Sequence, residues 1–150
     1  MRDVPQFGER VGGRVYADRP AAFGIAENGG KIALVAIEKA GGGSWRDLPG
    51  GAVDPGETPD LAVVREFGEE TGLVITVVEA LTEADQFFVN TDGTPLNNRA
   101  TVFVVKVEGS DPTLKVEDDH TLIWIDPTEA IRTLRHPAHA WAVSAWLRRG

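Results

Sequence analysis

The stretch Leu48 to Leu73, LPGGAVDPGETPDLAVVREFGEETGL, constrains the fold of this chain more than any other. Gly50, Gly51 and Gly56 allow backbone conformations and close approaches that other residues do not, so its first half reads as a loop. Its second half reads as a helix: Thr58 is a good N-cap, Pro59 suits the first helical position, and Gly72 suits the stop. With Glu66 set at zero, Glu70 falls at roughly +40° and Glu69 at roughly −60°, so three carboxylates crowd into an arc of roughly 100°. The pattern predicts Val63, Val64 and Phe67, with Leu61 behind, as the buried face on the other side. Ala62 falls among the glutamates and leaves them room, while Arg65 sits at the edge of the cluster, within reach of a carboxylate.

Like charges ~4 Å apart repel by roughly 4 kcal/mol at an effective dielectric of 20. Separate solvation of each carboxylate relieves this, and so does a hard divalent cation, which takes several oxygen ligands. A charged helix face on its own favours the first arrangement. The preceding loop shifts the balance, because it ends in Glu57 and can fold back beside the helical glutamates. Its free N–H groups, with the helix N-terminus, can also meet an anion. Loop and helix then read as one device: a cation held by carboxylates, with phosphate on its far side.

The spacing carries a resemblance. Gly51, five residues, Glu57, seven residues, then Arg65-Glu66-Phe67-Gly68-Glu69-Glu70-Thr71-Gly72-Leu73 resembles the Nudix box, GX5EX7REUXEEXGU, with Phe67 aromatic where the family has a bulky aliphatic residue. The resemblance implies an α/β fold, an α/β/α sandwich around a mixed β-sheet, and a MutT-like hydrolase. It implies hydrolysis of a nucleoside diphosphate linked to another moiety, with Mg²⁺ or Mn²⁺ as cofactor. It carries Glu66, Glu69 and Glu70 over as metal ligands, with Glu57 assisting, Arg65 orienting a glutamate, Gly51 shaping the metal-side loop and Gly72 ending the helix. Two placements of the general base stand open. One is a glutamate of the box, with Glu69 the candidate; the other is the later acidic run Glu117, Asp118 and Asp119, beside which His120 reads as a surface or supporting residue.

The remaining chain reads as scaffold and pocket wall. Ala21 to Ala26 and Lys31 to Ile37 flank Glu27-Asn28-Gly29-Gly30 and predict a β-hairpin, preceded by a short edge strand at Arg14 to Ala17. Val74 to Leu81, Gln86 to Asn90, Thr101 to Val107 and Leu122 to Ile125 predict further strands, with a polar loop from Thr91 to Arg99. Helices are predicted from Asp126-Pro127 through Leu134 and from Pro137 through Leu147. In the polar loop Asn97, Asn98 and Arg99 are candidates to read a base edge or a phosphate, set against ordinary turn chemistry. Trp45 and Phe87, with Phe88 and Trp124, are candidates to stack on a base, set against ordinary core packing. His136 and His139 read as structural.

Composition narrows the function. The net charge of −8 disfavours nucleic-acid polymers and anionic membranes as partners, and makes a bound cation necessary for a small phosphate substrate. The chain has no cysteine, which removes thiolate chemistry and, with it, the prenyl diphosphate isomerases that share the fold and rely on a cysteine. The start, MRDVPQFGERVGG, has no apolar core, so a cytoplasmic protein is expected. At 150 residues a single domain, 1–150, is expected, and relatives that form homodimers are common. The expected substrate is a small-molecule nucleotide, first a nucleoside triphosphate, with ADP-ribose or a nucleotide sugar as the alternative. A nucleotide-sensing module without turnover is the competing class; such modules commonly have a degraded box, whereas the glutamates here are intact.

Overall fold

The computed structural model describes residues 3–149. In chain order the strands are β1 (Gln6–Phe7), β2 (Ala17–Asn28), β3 (Lys31–Glu38), β4 (Ser44–Asp47), β5 (Gly50–Ala52), β6 (Leu73–Val89), β7 (Pro95–Ser110) and β8 (His120–Ile125). The helices are α1 (Pro59–Thr71), α2 (Pro127–Thr133) and α3 (Pro137–Arg148), with a short 3₁₀ turn at Pro112–Leu114. The sheet runs in the order β1-β6-β7-β2-β3-β4, with β5 pairing β2 and β8 pairing β3. It is mixed: β1 on β6 and β2 on β7 are parallel, the other pairings antiparallel.

Side chains along β2 alternate between two cores, as a strand period of two requires. Ala21, Phe23 and Ile25 join Ile32, Leu34, Val102, Ala142 and Val143 under α2 and α3. Ala22 and Ala26 join Ala33, Phe103, Val105 and the α1 residues Ala62, Val63 and Phe67. Helices therefore cover both faces of a mixed sheet, the expected α/β/α arrangement. Gly24 lies beneath Phe67, whose ring would stand 2.7 Å from any Cβ there. No described helix is long and apolar enough to cross a membrane.

The hairpin forms where expected, with its turn at Gly29 and Gly30. Arg14 to Tyr16 lie outside any strand, and β2 begins at Ala17. The two strands predicted within 74–90 are one strand, β6, whose register slips at three places, so that a broken apolar period hides one continuous element. The predicted polar loop 91–99 is a correction. Only a tight turn, closed by Asn90 N–H to Thr94 O and by Gly93, separates β6 from β7, and Asn97, Asn98 and Arg99 lie within β7.

Helix α1 brings a second correction. Thr58 occupies the N-cap without a side-chain bond, Pro59 opens the helix, and Gly72 closes it in the left-handed conformation. Its buried positions, however, are Ala62, Val63, Phe67, Gly68 and Glu70, while Leu61 and Val64 are exposed. Glu66 and Glu70 thus share the inward side with the apolar stripe instead of opposing it, while Glu69 is about a third exposed. Glycine permits this: Gly50 sits at φ 149° with a Cβ position only 2.2 Å from the Ala22 carbonyl, and a Cβ on Gly51 would stand 2.9 Å from the Glu66 carboxylate carbon. A side chain at 50 would force β5 away from β2, and one at 51 would displace the Glu66 carboxylate.

Candidate active site

The inward glutamates meet the chain from three directions. Glu70, in the last turn of α1, is buried, and its Oε1 accepts the Gly50 N–H at 3.0 Å from β5. Its Oε2 lies 3.4 Å from His120 Nε2 at the start of β8. His120 Nδ1 in turn lies 2.8 Å from Asp119. Glu66, one turn earlier, has only 14% of its side chain exposed.

Arg65 organises the outer half of the cluster. Its guanidinium donates to both carboxylate oxygens of Glu57 at 2.9 Å, to Glu66 at 3.1 Å, to Glu69 at 2.8 Å and to the Ala52 carbonyl at 3.0 Å. One rigid fork thereby fixes the loop carboxylate and two helical ones in a single geometry. The same bonds, with the Asp54 N–H, hold the Glu57 carboxyl down at about 2.

The inner half is under electrostatic tension. Burial pushes the Glu70 carboxyl well above the ordinary range, the Gly50 N–H only partly offsetting it, and neighbouring Glu66, Asp47 and Glu117 push it further. Burial also raises Glu66, against the pull of Arg65. Buried carboxylates of like charge are stable as anions only with a counter-charge, and these are hard oxygen donors with no sulfur among them. The donor set therefore fits a hard divalent cation.

These groups face a cavity of about 350 Å³, of the size that takes a small ligand. Glu66, Glu70 and the backbone of Gly50 and Gly51 line one side, with Glu117, Asp119 and His120 beside them. The acidic loop is pinned there because the Val116 and Glu117 N–H groups both donate to the Glu69 carbonyl, at 2.9 and 3.0 Å. Among the described residues, Glu117, Asp119 and His120 bring ligand atoms within 4.8 Å of one another. Asp118 is exposed and does not line the cavity.

The same cavity is lined by further residues that no local motif announces: Arg19, Phe88, Asn98, Arg135 and His136. Asp47 anchors Arg135 through two bonds, at 3.0 and 2.5 Å. His136 stacks edge-on against Phe88 and His139, and burial holds both histidines down at about 3, so both are neutral. The buried His139 accepts the Leu48 N–H at 3.2 Å, which ties α3 to the strand entering the glycine loop. Of the residues expected to face substrate, Asn98 and Phe88 line the cavity, whereas Asn97, Arg99, Trp45, Phe87 and Trp124 do not. Asn97 bonds Gln6 at 2.9 Å, and Arg99 pairs with Asp18 and Asp85, because alternation along β7 points both away from Asn98. Phe87 is engaged by Tyr16 and Arg10, and Trp45 by Lys39 and Arg135. Parallel pairing that sets Arg19 opposite Asn98 is the signal for the missed wall, and it exists only in three dimensions.

Known proteins agree with this geometry. The NUDIX domain family matches residues 17–147, which contain the whole sheet except β1, together with α1, α2 and all but the last residue of α3. The chain belongs to the Nudix family. It is 48% identical over 46 residues to a MutT-like protein of Streptomyces ambofaciens, across 31% of this chain and 29% of that protein. It is 37% identical over 100 residues to an ADP-ribose pyrophosphatase of Methanocaldococcus jannaschii, across 66% of this chain and 56% of that protein. These matches thus span only 29% and 56% of the relatives' lengths. A NUDIX hydrolase from Nitrosomonas europaea shares the fold with a TM-score of 0.72 at 21% identity, covering 87% of this chain and 88% of that one.

Proposed function

We propose that this Nudix chain hydrolyses the pyrophosphate bond of a nucleoside diphosphate linked to another moiety. The observation that carries the reading is the pair of buried carboxylates, Glu66 and Glu70, raised above their ordinary range at one side of a ligand-sized cavity. Glu66, Glu69 and Glu70 would hold a Mg²⁺ or Mn²⁺ ion, with Glu57 and the Gly51 backbone assisting. When bound, such an ion neutralises phosphate charge and acidifies water. Arg65 keeps Glu57, Glu66 and Glu69 oriented. Of the two placements of the base, the cavity favours the acidic run: Glu117 lines it, whereas Glu69 is tied to Arg65 and does not. Asp119 also lines it, and lies beside His120.

A nucleoside triphosphate is the first substrate class. The 37% identity to an ADP-ribose pyrophosphatase favours ADP-ribose or a nucleotide sugar as the second. The test is a panel of nucleoside triphosphates, ADP-ribose and nucleotide sugars in Mg²⁺, reading released phosphate, pyrophosphate and nucleoside monophosphate. Turnover of at least one class that vanishes in excess EDTA is the expected result. Undiminished turnover in EDTA would sink the mechanism, and a panel without hits would return the sensing module to first place.

A further inference from the structure

Arg19 is placed unlike the other arginines around the cavity. Arg135 is neutralised by Asp47, and Arg65 by the box carboxylates. Arg19 is half-buried on the cavity wall, and among the described residues it forms no ion pair. Its contacts are a single hydrogen bond, Nε to Asn98 Oδ1 at 2.8 Å, and a position 5.6 Å from the Phe88 ring centre. Burial pulls its guanidinium below the ordinary arginine value, against the pull of the Glu66 and Asp92 carboxylates, neither of which comes within ion-pair distance, so the fold holds a partly dehydrated cation with no anion in contact.

Asn98 completes the arrangement. It is 3% exposed, and β2–β7 pairing sets it opposite Arg19. A guanidinium only donates, so the atom it meets must be the amide oxygen, and this fixes the orientation of the amide. The Nδ2 donors are then left over, and among the described residues they have no partner. The cavity wall therefore offers free N–H donors from two adjacent side chains, one of them charged, and no acceptor from either.

We propose that Arg19 and Asn98 form a phosphoryl subsite, which binds the non-bridging oxygens of a substrate phosphate through side-chain donors and not through a cation held by the carboxylates. A planar fork beside an amide matches the geometry of a phosphate oxygen pair. The subsite deepens the pyrophosphohydrolase reading and rests on it for the identity of the second phosphate. It requires a substrate with two anionic groups, one met by a cation on the glutamates and the other by Arg19 and Asn98. Phe88, packed by Arg19, Arg135 and His136, serves as the platform that keeps the fork in place and leaves a base to be read elsewhere.

Binding in excess EDTA isolates this subsite from the carboxylate side. Calorimetric titration of the wild-type chain with AMP, inorganic phosphate and adenosine should show AMP and phosphate binding and adenosine binding much more weakly. Arg19→Gln should weaken AMP by roughly ten- to a hundredfold, the cost of losing hydrogen bonds to a charged group. Arg19→Lys should fall between, keeping the charge without the fork. Asn98→Asp, nearly isosteric, should weaken AMP as much as Arg19→Gln, because the new carboxylate neutralises the guanidinium where it stands. Equal affinity for AMP and adenosine, no binding of AMP or phosphate by the wild type, or unchanged AMP affinity in Arg19→Gln and Asn98→Asp would overturn the subsite. If the affinities follow the pattern but no panel compound is hydrolysed, the hydrolase reading falls and the subsite stands. If a substrate is hydrolysed and Arg19→Gln leaves its KM unchanged, the reverse holds.

Discussion

Substituting Gly51 by alanine tests the link between the glycine loop and the glutamates with a single methyl group. Gly51 has ordinary negative φ, so alanine brings no backbone strain of its own. Its Cβ would stand 2.9 Å from Glu66 Cδ, 2.9 Å from Oε1 and 3.0 Å from Oε2. Restoring an ordinary contact of 3.4 Å displaces the carboxylate by 3.4 − 2.9, about 0.5 Å, which is the tolerance within which catalytic groups must be held. Glu66 can yield by turning away, at the expense of its 3.1 Å bond to Arg65, a loss of about 1 kcal/mol. The melting temperature should therefore fall by no more than about 2–4 °C. The rate should fall much further, by roughly ten- to a hundredfold, because small misplacements at a reacting centre cost that much. Gly109→Ala is the control, since a Cβ there meets nothing within 4 Å. Differential scanning fluorimetry and steady-state turnover of both variants on the best panel substrate decide the matter. A Gly51→Ala enzyme with wild-type kcat and an intact fold would refute the claim that the Glu66 carboxylate works where the loop places it.

Two further outcomes follow from burial. Phe67 is fully buried between α1 and the sheet, so Phe67→Ala should cost about 3–5 kcal/mol, read as a loss in chemical denaturation free energy. His136 and His139 are held at about 3 in the fold against an ordinary 6.5, so their stability contribution is complete above pH 6.5 and is lost as pH falls from there toward 3. Each should contribute a slope of roughly 1.4 kcal/mol per pH unit in that window. His136→Asn should remove one histidine's share of the slope between pH 6 and 4.5, and parallel profiles for variant and wild type would contradict the assignment.

Legibility in sequence followed how local each feature is. The ends of α1 were readable from Pro59 and Gly72, and the β2–β3 turn from Gly29-Gly30, because their signals act within a few residues. The inward side of α1 was not. Apolar moments assume that charges face water, and here Glu66 and Glu70 are turned inward where glycines at 50 and 51 let the strand approach. Asn97, Asn98 and Arg99 were misplaced in a loop because polar residues inside a strand look like a turn, and only the neighbouring strands show what satisfies them. Arg19, Asp47, Arg135 and the inward His120 carry no motif. They meet through pairings of β2 with β7 and of β3 with β4 and β8, which set distant residues side by side.

The most direct test of a carboxylate metal centre is Mn²⁺ binding, followed by electron paramagnetic resonance, to the wild type and to Glu70→Gln. Glu70 is buried with its charge disfavoured, so the neutral amide should leave the metal-free fold at least as stable while removing a ligand. The account predicts Mn²⁺ affinity at least tenfold weaker in Glu70→Gln, with loss of the thermal stabilisation that Mn²⁺ gives the wild type. Equal Mn²⁺ affinity and equal stabilisation in the two proteins would contradict it.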